Sequence, residues 1–265
     1  MDKRVLVISP HADDATIFIG GTISKLSSKG YRVFVARVTN DDYDAFGLDK
    51  ETTIKRNRQE AEKAYKVLGV NDVIHMGYES DCISNIDYHI LRGDIVNLIR
   101  VIRPYEIYTF DKADFQDDNM DHKIIASATA EALWIASFPL HYKEQLNDEV
   151  KPYSVPIRKA FTRQGNDRCK CEDITDVIDI KIKALKEHNT AAHNIIMQAL
   201  CRAESYGADV NYTISDEEFE ALIEQLTRAN AEAIGSAYGI KYGELIAEED
   251  LGLAQYFIHK WLKLI

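Results

Sequence analysis

The 265-residue chain is poor in the features that mark secreted, membrane and nucleic-acid-binding proteins. Its four cysteines contain no C-x-x-C pair and are too few for a disulfide framework, which predicts free thiols in a reducing compartment. No signal-peptide core or membrane-spanning apolar run is present. Acidic residues outnumber basic ones by 43 to 32, which disfavours binding to a nucleic-acid backbone. We therefore expect a cytoplasmic protein that acts on a small molecule, with no nucleic-acid partner and no membrane span.

Two common motifs are also missing. The loop after the first predicted strand has no G-x-G-x-x-G, and it carries two carboxylates where a pyrophosphate requires backbone donors. This disfavours a non-catalytic, Rossmann-like ligand-binding module. No G-x-S-x-G is present, which disfavours a serine hydrolase. The composition, 46% hydrophobic and 28% charged, is typical of a globular protein.

Apolar runs and amphipathic segments alternate through the first half of the chain. Predicted strands cover residues 4–10, 31–40, 70–78 and 105–110. Predicted helices cover residues 22–29, 51–68, 90–102 and 121–135. This order predicts an α/β, Rossmann-like fold, in which a mostly parallel sheet has helices on both faces.

The second half is less regular and predicts a helical C-terminal elaboration. Its predicted elements are a strand at 155–162 and helices at 178–192, 216–234 and 254–264. No linker or repeat divides the chain, so we predict a single domain over 1–265. Within it, residues 1–138 form the βαβ core with the functional site, and residues 139–265 shape the pocket.

Histidine and aspartate side chains follow two of the predicted strands. Ser9-Pro10-His11-Ala12-Asp13-Asp14 comes after the first strand, and the Asp-rich segment 111–122 comes after the fourth. Parallel sheets bind ligands beyond the carboxyl ends of their strands. Two imidazoles and one carboxylate suit Zn²⁺ and leave a position open for water. We therefore predict a mononuclear metal site with His11, Asp14 and His122 as ligands, and Asp13 as the general base.

These residues resemble the signature of the LmbE-like, or PIG-L, family of zinc-dependent N-acetylglucosaminyl deacetylases. The P-H-P-D-D motif and Gly-Gly pair of the family correspond to residues 10–14 and 20–21, and the end of its H-P-D-H motif corresponds to Asp121-His122. Further similar segments are 58–70, 77–81, 173–188 and 238–244. The resemblance implies hydrolysis of an N-acetyl group from an amino sugar or glycoconjugate. It implies the same metal ligands, with Zn²⁺, Fe²⁺ or another divalent ion, and proton removal by Asp13 from the metal-bound water. Because related enzymes are often oligomeric, the resemblance is also compatible with a homo-oligomer.

Two residues depart from the family pattern. Asn119 replaces the first His of H-P-D-H, which in the family helps to stabilise the tetrahedral intermediate. An asparagine amide can donate a hydrogen bond to an oxyanion but cannot supply a proton. We therefore predict a catalytic role for Asn119 in the weaker, hydrogen-bonding form. Ala12 replaces a proline and is expected to matter little.

The remaining assignments are supporting ones. Asp121 is expected to orient His122 from behind. Contacts with the substrate are expected from Asp81, Arg58, Asp41 and His188. For these four the competing interpretations are loop capping, a surface salt bridge, a solvated loop and a helix-surface histidine, respectively. Two alternatives to the main function also stay open: a related amidase that acts on a non-sugar or thiol-conjugate amide, and a homologue inactivated by Asn119.

Overall fold

The computed structural model describes residues 3–114, 117–209, 215–249 and 260. In these ranges seven strands form one sheet, in the order β3-β2-β1-β4-β5-β7-β6. The strands are β1 (Arg4–Ser9), β2 (Arg32–Thr39), β3 (Asp72–Tyr78), β4 (Glu106–Phe110), β5 (Ile157–Phe161), β6 (Cys169–Asp173) and β7 (Gly243–Glu248). The first five run parallel to one another, and β7 is antiparallel to both of its neighbours.

Helices cover both faces of this sheet, as predicted. They are α1 (Asp14–Ser28), α2 (Lys50–Val67), α3 (Tyr88–Ile102), α4 (Met120–Ile135), α5 (Ile178–Glu187), α6 (Asn189–Ser205) and α7 (Asp216–Ser236). Side chains alternate along β1, so that Leu6 and Ile8 pack with α3 and α4, whereas Val5 and Val7 pack with α1 and α2. Burial on both faces explains why β1 is a continuous apolar run.

Several boundaries differ from the predictions. Strands β6 and β7 were not predicted, because their sequences C-K-C-E-D and G-E-L-I-A-E lack a sustained apolar run. The helix predicted at 178–192 is two helices, since His188 has a non-helical ψ of 55°. The helix predicted at 254–264 lies outside the described residues. None of the described helices has the length and apolarity needed to cross a membrane.

Helix α1 begins earlier than predicted and is kinked at Ile19. Beyond the kink, the buried carboxylate of Glu244 accepts hydrogen bonds from the Gly21 and Thr22 amides, both at 2.8 Å. It also forms an ion pair with buried Lys181 at 2.8 Å. A Cβ at Gly21 would lie 2.6 Å from the side chain of Ile174, which explains the glycine. The residues that follow the kink thus bond α1 to β7, in the second half of the chain.

Candidate active site

The loop between β1 and α1 is held in place from several sides. The Ser9 hydroxyl donates to the His11 carbonyl at 2.8 Å, and the Tyr65 hydroxyl donates to the Ala12 carbonyl at 2.7 Å. The Ala12 amide donates to Asp41 Oδ2 at 3.0 Å. A proline at position 12 has no N–H to donate. Ala12 therefore matters more than expected from sequence, because its amide fixes Asp41 beside the loop.

Three donor atoms, two from the junction of β1 with α1 and one from the first turn of α4, form a compact triangle. Asp14 Oδ2 lies 3.3 Å from His11 Nδ1 and 3.3 Å from His122 Nε2, and the two nitrogens lie 3.1 Å apart. Ligands at about 2.0–2.1 Å from a tetrahedral zinc ion are about 3.3 Å from one another. The triangle therefore has the dimensions expected for three ligands of one such ion. His11, Asp14 and His122 are all buried, which limits competition from water.

The nitrogens that face away from the triangle each meet a carboxylate. His122 Nδ1 lies 2.5 Å from Asp117 Oδ2, and His11 Nε2 lies 3.4 Å from Asp121 Oδ2. Such carboxylates fix the tautomer and orientation of metal-binding histidines. The expected pairing of Asp121 with His122 is wrong: Asp121 Oδ2 faces His11, because His122 turns its outer nitrogen toward the preceding loop. Asp117, which the sequence analysis did not single out, takes that position.

The pKa values at the triangle reflect its concentrated negative charge. Burial lowers the pKa of His122, but Asp14 and Asp117 outweigh burial and raise it to about 9. Hydrogen bonds to Asp121 and Asp14 likewise raise the pKa of His11 against the effect of burial. For Asp14, burial favours the neutral form, yet the two imidazoles hold its pKa well below the usual range. The pocket therefore favours a cation between these groups.

Asp13 lies at the start of α1, beside the triangle, and lines the cavity in front of it. Burial raises its pKa, and the charges of Asp14 and Asp41 raise it further, to about 7. A carboxylate whose pKa lies near neutrality is suited to take a proton and return it. Asp13 is therefore suited to proton transfer at this site.

Asn119 is the N-cap of α4. Its Oδ1 accepts hydrogen bonds from the Asp121 amide at 2.8 Å and the His122 amide at 3.4 Å. With Oδ1 used by the helix, the side-chain NH₂ group is the part that can donate to a ligand. Asn119 also lines the cavity in front of the triangle. The cap sets the position of His122 in the first turn of α4.

A polar cavity of about 360 Å³ opens in front of the triangle. Besides the candidate ligands, it is lined by side chains able to bind hydroxyl groups, namely Asp44, Asn57, Asn119, Asn194 and Gln198. Four of them were not named from sequence. Asn194 and Gln198 share one face of α6 because they are four residues apart. The sequence shows this spacing, but only the packing of α6 shows that the shared face lines the cavity. Asn57 adjoins Arg58, the residue that the sequence analysis chose.

The residues predicted to contact the substrate lie in different environments. Asp41 lines the cavity, but its carboxylate already has partners. It forms an ion pair with Arg37 at 2.9 Å and accepts hydrogen bonds from the Thr39 hydroxyl at 2.9 Å and from the Ala12 amide. Asp81 is exposed, and its backbone amide donates to Asp121 Oδ2 at 2.7 Å. Asp41 and Asp81 thus support the loops behind the ligands.

The predictions for Arg58 and His188 need correction. The Arg58 side chain is 59% exposed and pairs with Glu62 at 3.1 Å, because this face of α2 points to solvent. His188 lies neither at the rim nor on a helix surface: it is buried at the break between α5 and α6 and bonds Thr16 Oγ1 at 3.0 Å. It borders a separate, apolar cavity.

Comparison with known proteins supports the resemblance found in the sequence. Residues 6–133 match the family described as GlcNAc-PI de-N-acetylase, PIG-L. The chain carries a PIG-L domain. The match spans β1 to α4 and so includes every residue of the triangle. The predicted resemblance is confirmed for this part of the chain.

Individual relatives extend the similarity over most of the chain. A diacetylchitobiose deacetylase of Thermococcus kodakarensis is 28% identical over 193 residues, 71% of this chain and 70% of the relative. A probable N-acetyl-α-D-glucosaminyl L-malate deacetylase 2 of Bacillus subtilis is 25% identical over 203 residues, 75% of this chain and 87% of the relative. The PIG-L domain and these relatives confirm the predicted enzyme class, a hydrolase that removes N-acetyl groups.

The fold is also shared with solved structures. The N,N'-diacetylchitobiose deacetylase from Pyrococcus horikoshii superposes with a TM-score of 0.76 at 24% identity, and the match covers 99% of this chain and 89% of that one. At this identity the likeness establishes the fold. The predicted α/β class with a mostly parallel sheet is therefore confirmed.

Proposed function

We propose that the PIG-L protein is a zinc-dependent deacetylase of N-acetylglucosamine-type amino sugars or their conjugates. The observation that carries the proposal is the His11–Asp14–His122 triangle. Its donor atoms are spaced for one tetrahedral ion, and each outer histidine nitrogen meets a carboxylate. Relatives named for deacetylation of N-acetylglucosamine compounds support the substrate class. A cytoplasmic location and action as a single domain over 1–265 are part of the same proposal.

In this mechanism the ligands and the base have separate tasks. His11, Asp14 and His122 would hold the ion, which polarises the amide carbonyl and acidifies water when bound. Asp13 takes a proton from the attacking water. The Asn119 NH₂ donates to the developing oxyanion, while its Oδ1 remains bonded to the start of α4. Asp13 then returns its proton to the amine nitrogen as the C–N bond breaks.

Sugar hydroxyl groups are assigned to the polar cavity. Asp44, Asn57 and Asn194 provide acceptors and donors there, within the same cavity as Asp13. A sugar bound in this cavity places its 2-acetamido group against the triangle. The amidase alternative keeps the triangle and Asp13 but needs fewer hydroxyl partners, so the polar lining favours a sugar.

The direct test combines metal analysis with acetate release. We expect about one divalent ion per chain, and acetate release from N-acetylglucosamine or N,N'-diacetylchitobiose that a chelator abolishes and Zn²⁺ restores. Fe²⁺ and Co²⁺ reconstitution compares the metals. Absence of bound metal together with no acetate release from any N-acetylated sugar would refute the proposal. Release only from non-sugar amides would favour the amidase.

A further inference from the structure

A second cavity, of about 410 Å³, adjoins the polar one on the side of α5, α6 and α7. Its walls are mainly aliphatic side chains, among them Leu185, Ile196, Ile223, Leu226, Ile234 and Leu245. Its volume falls in the range of ligand-binding cavities, roughly 300–1,000 Å³. The lining by branched aliphatic residues is complementary to a hydrocarbon.

Most of the charged and hydroxyl-bearing side chains that line this second cavity have partners within the protein. Lys181 and Glu244 form a buried ion pair at 2.8 Å. His188 bonds Thr16 at 3.0 Å, and burial lowers the pKa of His188 to about 3, so it is uncharged at neutral pH. The Thr162 hydroxyl donates to Asp114 Oδ2 at 2.7 Å. These groups offer little to a polar ligand, because binding one would require breaking internal bonds.

The two cavities adjoin at Asp13 and share part of their lining. Both are lined by Asp13, Ile17, Phe18, Arg163 and Ile195. An amide held against Asp13 therefore has one substituent directed toward hydroxyl-binding side chains and the other toward aliphatic ones. The hydroxyl-bearing sugar matches the polar cavity, which leaves the acyl substituent for the apolar cavity.

We propose that the apolar cavity is a subsite for the hydrocarbon chain of an N-acyl group longer than acetyl. The inference rests on the proposed function and narrows its substrate class to N-acylated amino sugars with medium-length acyl chains. The reaction is the same hydrolysis: the amide C–N bond breaks, water supplies the oxygen of the released carboxylate, and the amine nitrogen receives a proton. The products are a fatty acid and a free amino sugar.

The test compares two matched substrate series on the metal-loaded, full-length protein. One series is N-acetyl-, N-butyryl- and N-hexanoylglucosamine. The other keeps the acetyl group and lengthens an alkyl glycoside from methyl to hexyl. We expect kcat/KM to rise about fourfold per methylene in the acyl series, roughly 200-fold from acetyl to hexanoyl, because each buried methylene favours binding. The glycoside series is expected to stay flat.

Each other outcome counts against a specific claim. Hydrolysis of the acetyl substrate with no gain in the acyl series overturns the subsite and leaves the deacetylase intact. A gain confined to the glycoside series overturns it in favour of an apolar aglycone. Failure on all substrates overturns the proposed function itself.

Variants locate the effect in the apolar cavity. Ala192→Trp fills it from α6 and is expected to bring the hexanoyl-to-acetyl ratio of kcat/KM close to one. The matched control, Ala199→Trp, lies on the exposed face of the same helix and should keep the wild-type ratio. Leu226→Asp introduces a charge at a cavity residue that is 57% exposed, so folding is preserved, and it should lower the ratio as well. An unchanged ratio in Leu226→Asp and in folded Ala192→Trp would overturn the assignment.

Discussion

Replacement of Asp117 tests whether the outer carboxylates fix the metal ligands. Asp117 Oδ2 lies 2.5 Å from His122 Nδ1, and Asp117 Oδ1 accepts the Asn119 amide at 3.0 Å. Loss of a carboxylate behind a metal-binding histidine typically costs 10–100-fold in metal affinity or activity, about 1.4–2.7 kcal/mol. Asp117→Asn keeps an oxygen acceptor and removes the charge, so we expect a loss of about tenfold. Asp117→Ala removes both and should lose about 100-fold.

The assay is competition for Zn²⁺ against a chelator of known affinity, followed by acetate release at saturating metal. Asp118→Ala is the matched control, because Asp118 is the exposed neighbour in the same loop. Asp117→Ala also leaves the Asn119 amide without its partner, which is expected to cost about 1 kcal/mol of stability. Denaturant unfolding of the metal-free proteins measures that contribution separately. Equal zinc affinities for Asp117→Ala and Asp118→Ala would refute the positioning role.

Three further predictions address the base, the kinked helix and a buried histidine. Asp13→Asn should retain zinc and lose about 10²–10⁴-fold in kcat, measured by acetate release beside metal content; retained turnover would assign the base elsewhere. Glu244→Ala should destabilise the protein by about 3–5 kcal/mol in denaturant unfolding, because it leaves Lys181 charged and unpaired, whereas Glu248→Ala at the exposed end of β7 should cost less than about 1 kcal/mol. His188 has a pKa of about 3 when folded and about 6.5 when unfolded, so the unfolded chain binds an extra proton as pH falls below 6.5 and stability is lost. His188→Gln should therefore make the loss of stability between pH 6 and 4 shallower by about 1.4 kcal/mol per pH unit, and an unchanged slope would contradict a neutral, buried His188.

Many of the helices and strands can be predicted from the local sequence. The apolar run of β1 and the 3.6-residue periodicity of α2, α3 and α4 identify their elements, because each buries a continuous face in the central part of the sheet. Strands β6 and β7 cannot be identified in this way, since β6 is the edge strand of the sheet and both strands carry charged residues. The split at His188 cannot be identified in this way either, because the apolar spacing continues across the break.

The candidate metal ligands follow from sequence because of topology. His11 and Asp14 lie at the junction of β1 with α1, and His122 lies at the start of the helix that follows the neighbouring parallel strand β4. The carboxyl ends of β1 and β4 therefore bring the three residues together. Which carboxylate supports which histidine depends on ring orientation, which only the tertiary structure specifies. That is why Asp117 rather than Asp121 lies behind His122. The same holds for Arg58 and Asn57: adjacent on α2, they point to solvent and to the cavity.

The sequence alone determined the class of protein, through the scarcity of cysteine, the acidic balance and the P-H-A-D-D segment. It also identified the three candidate ligands, two in that segment and the third at His122. The tertiary structure decided what surrounds them. Packing of α5 against α1, with α6 and α7 against α5, creates a polar and an apolar cavity that adjoin at Asp13, and residues far apart in the chain line both. Such cavities depend on the angles and distances between helices, which no local pattern of residues encodes.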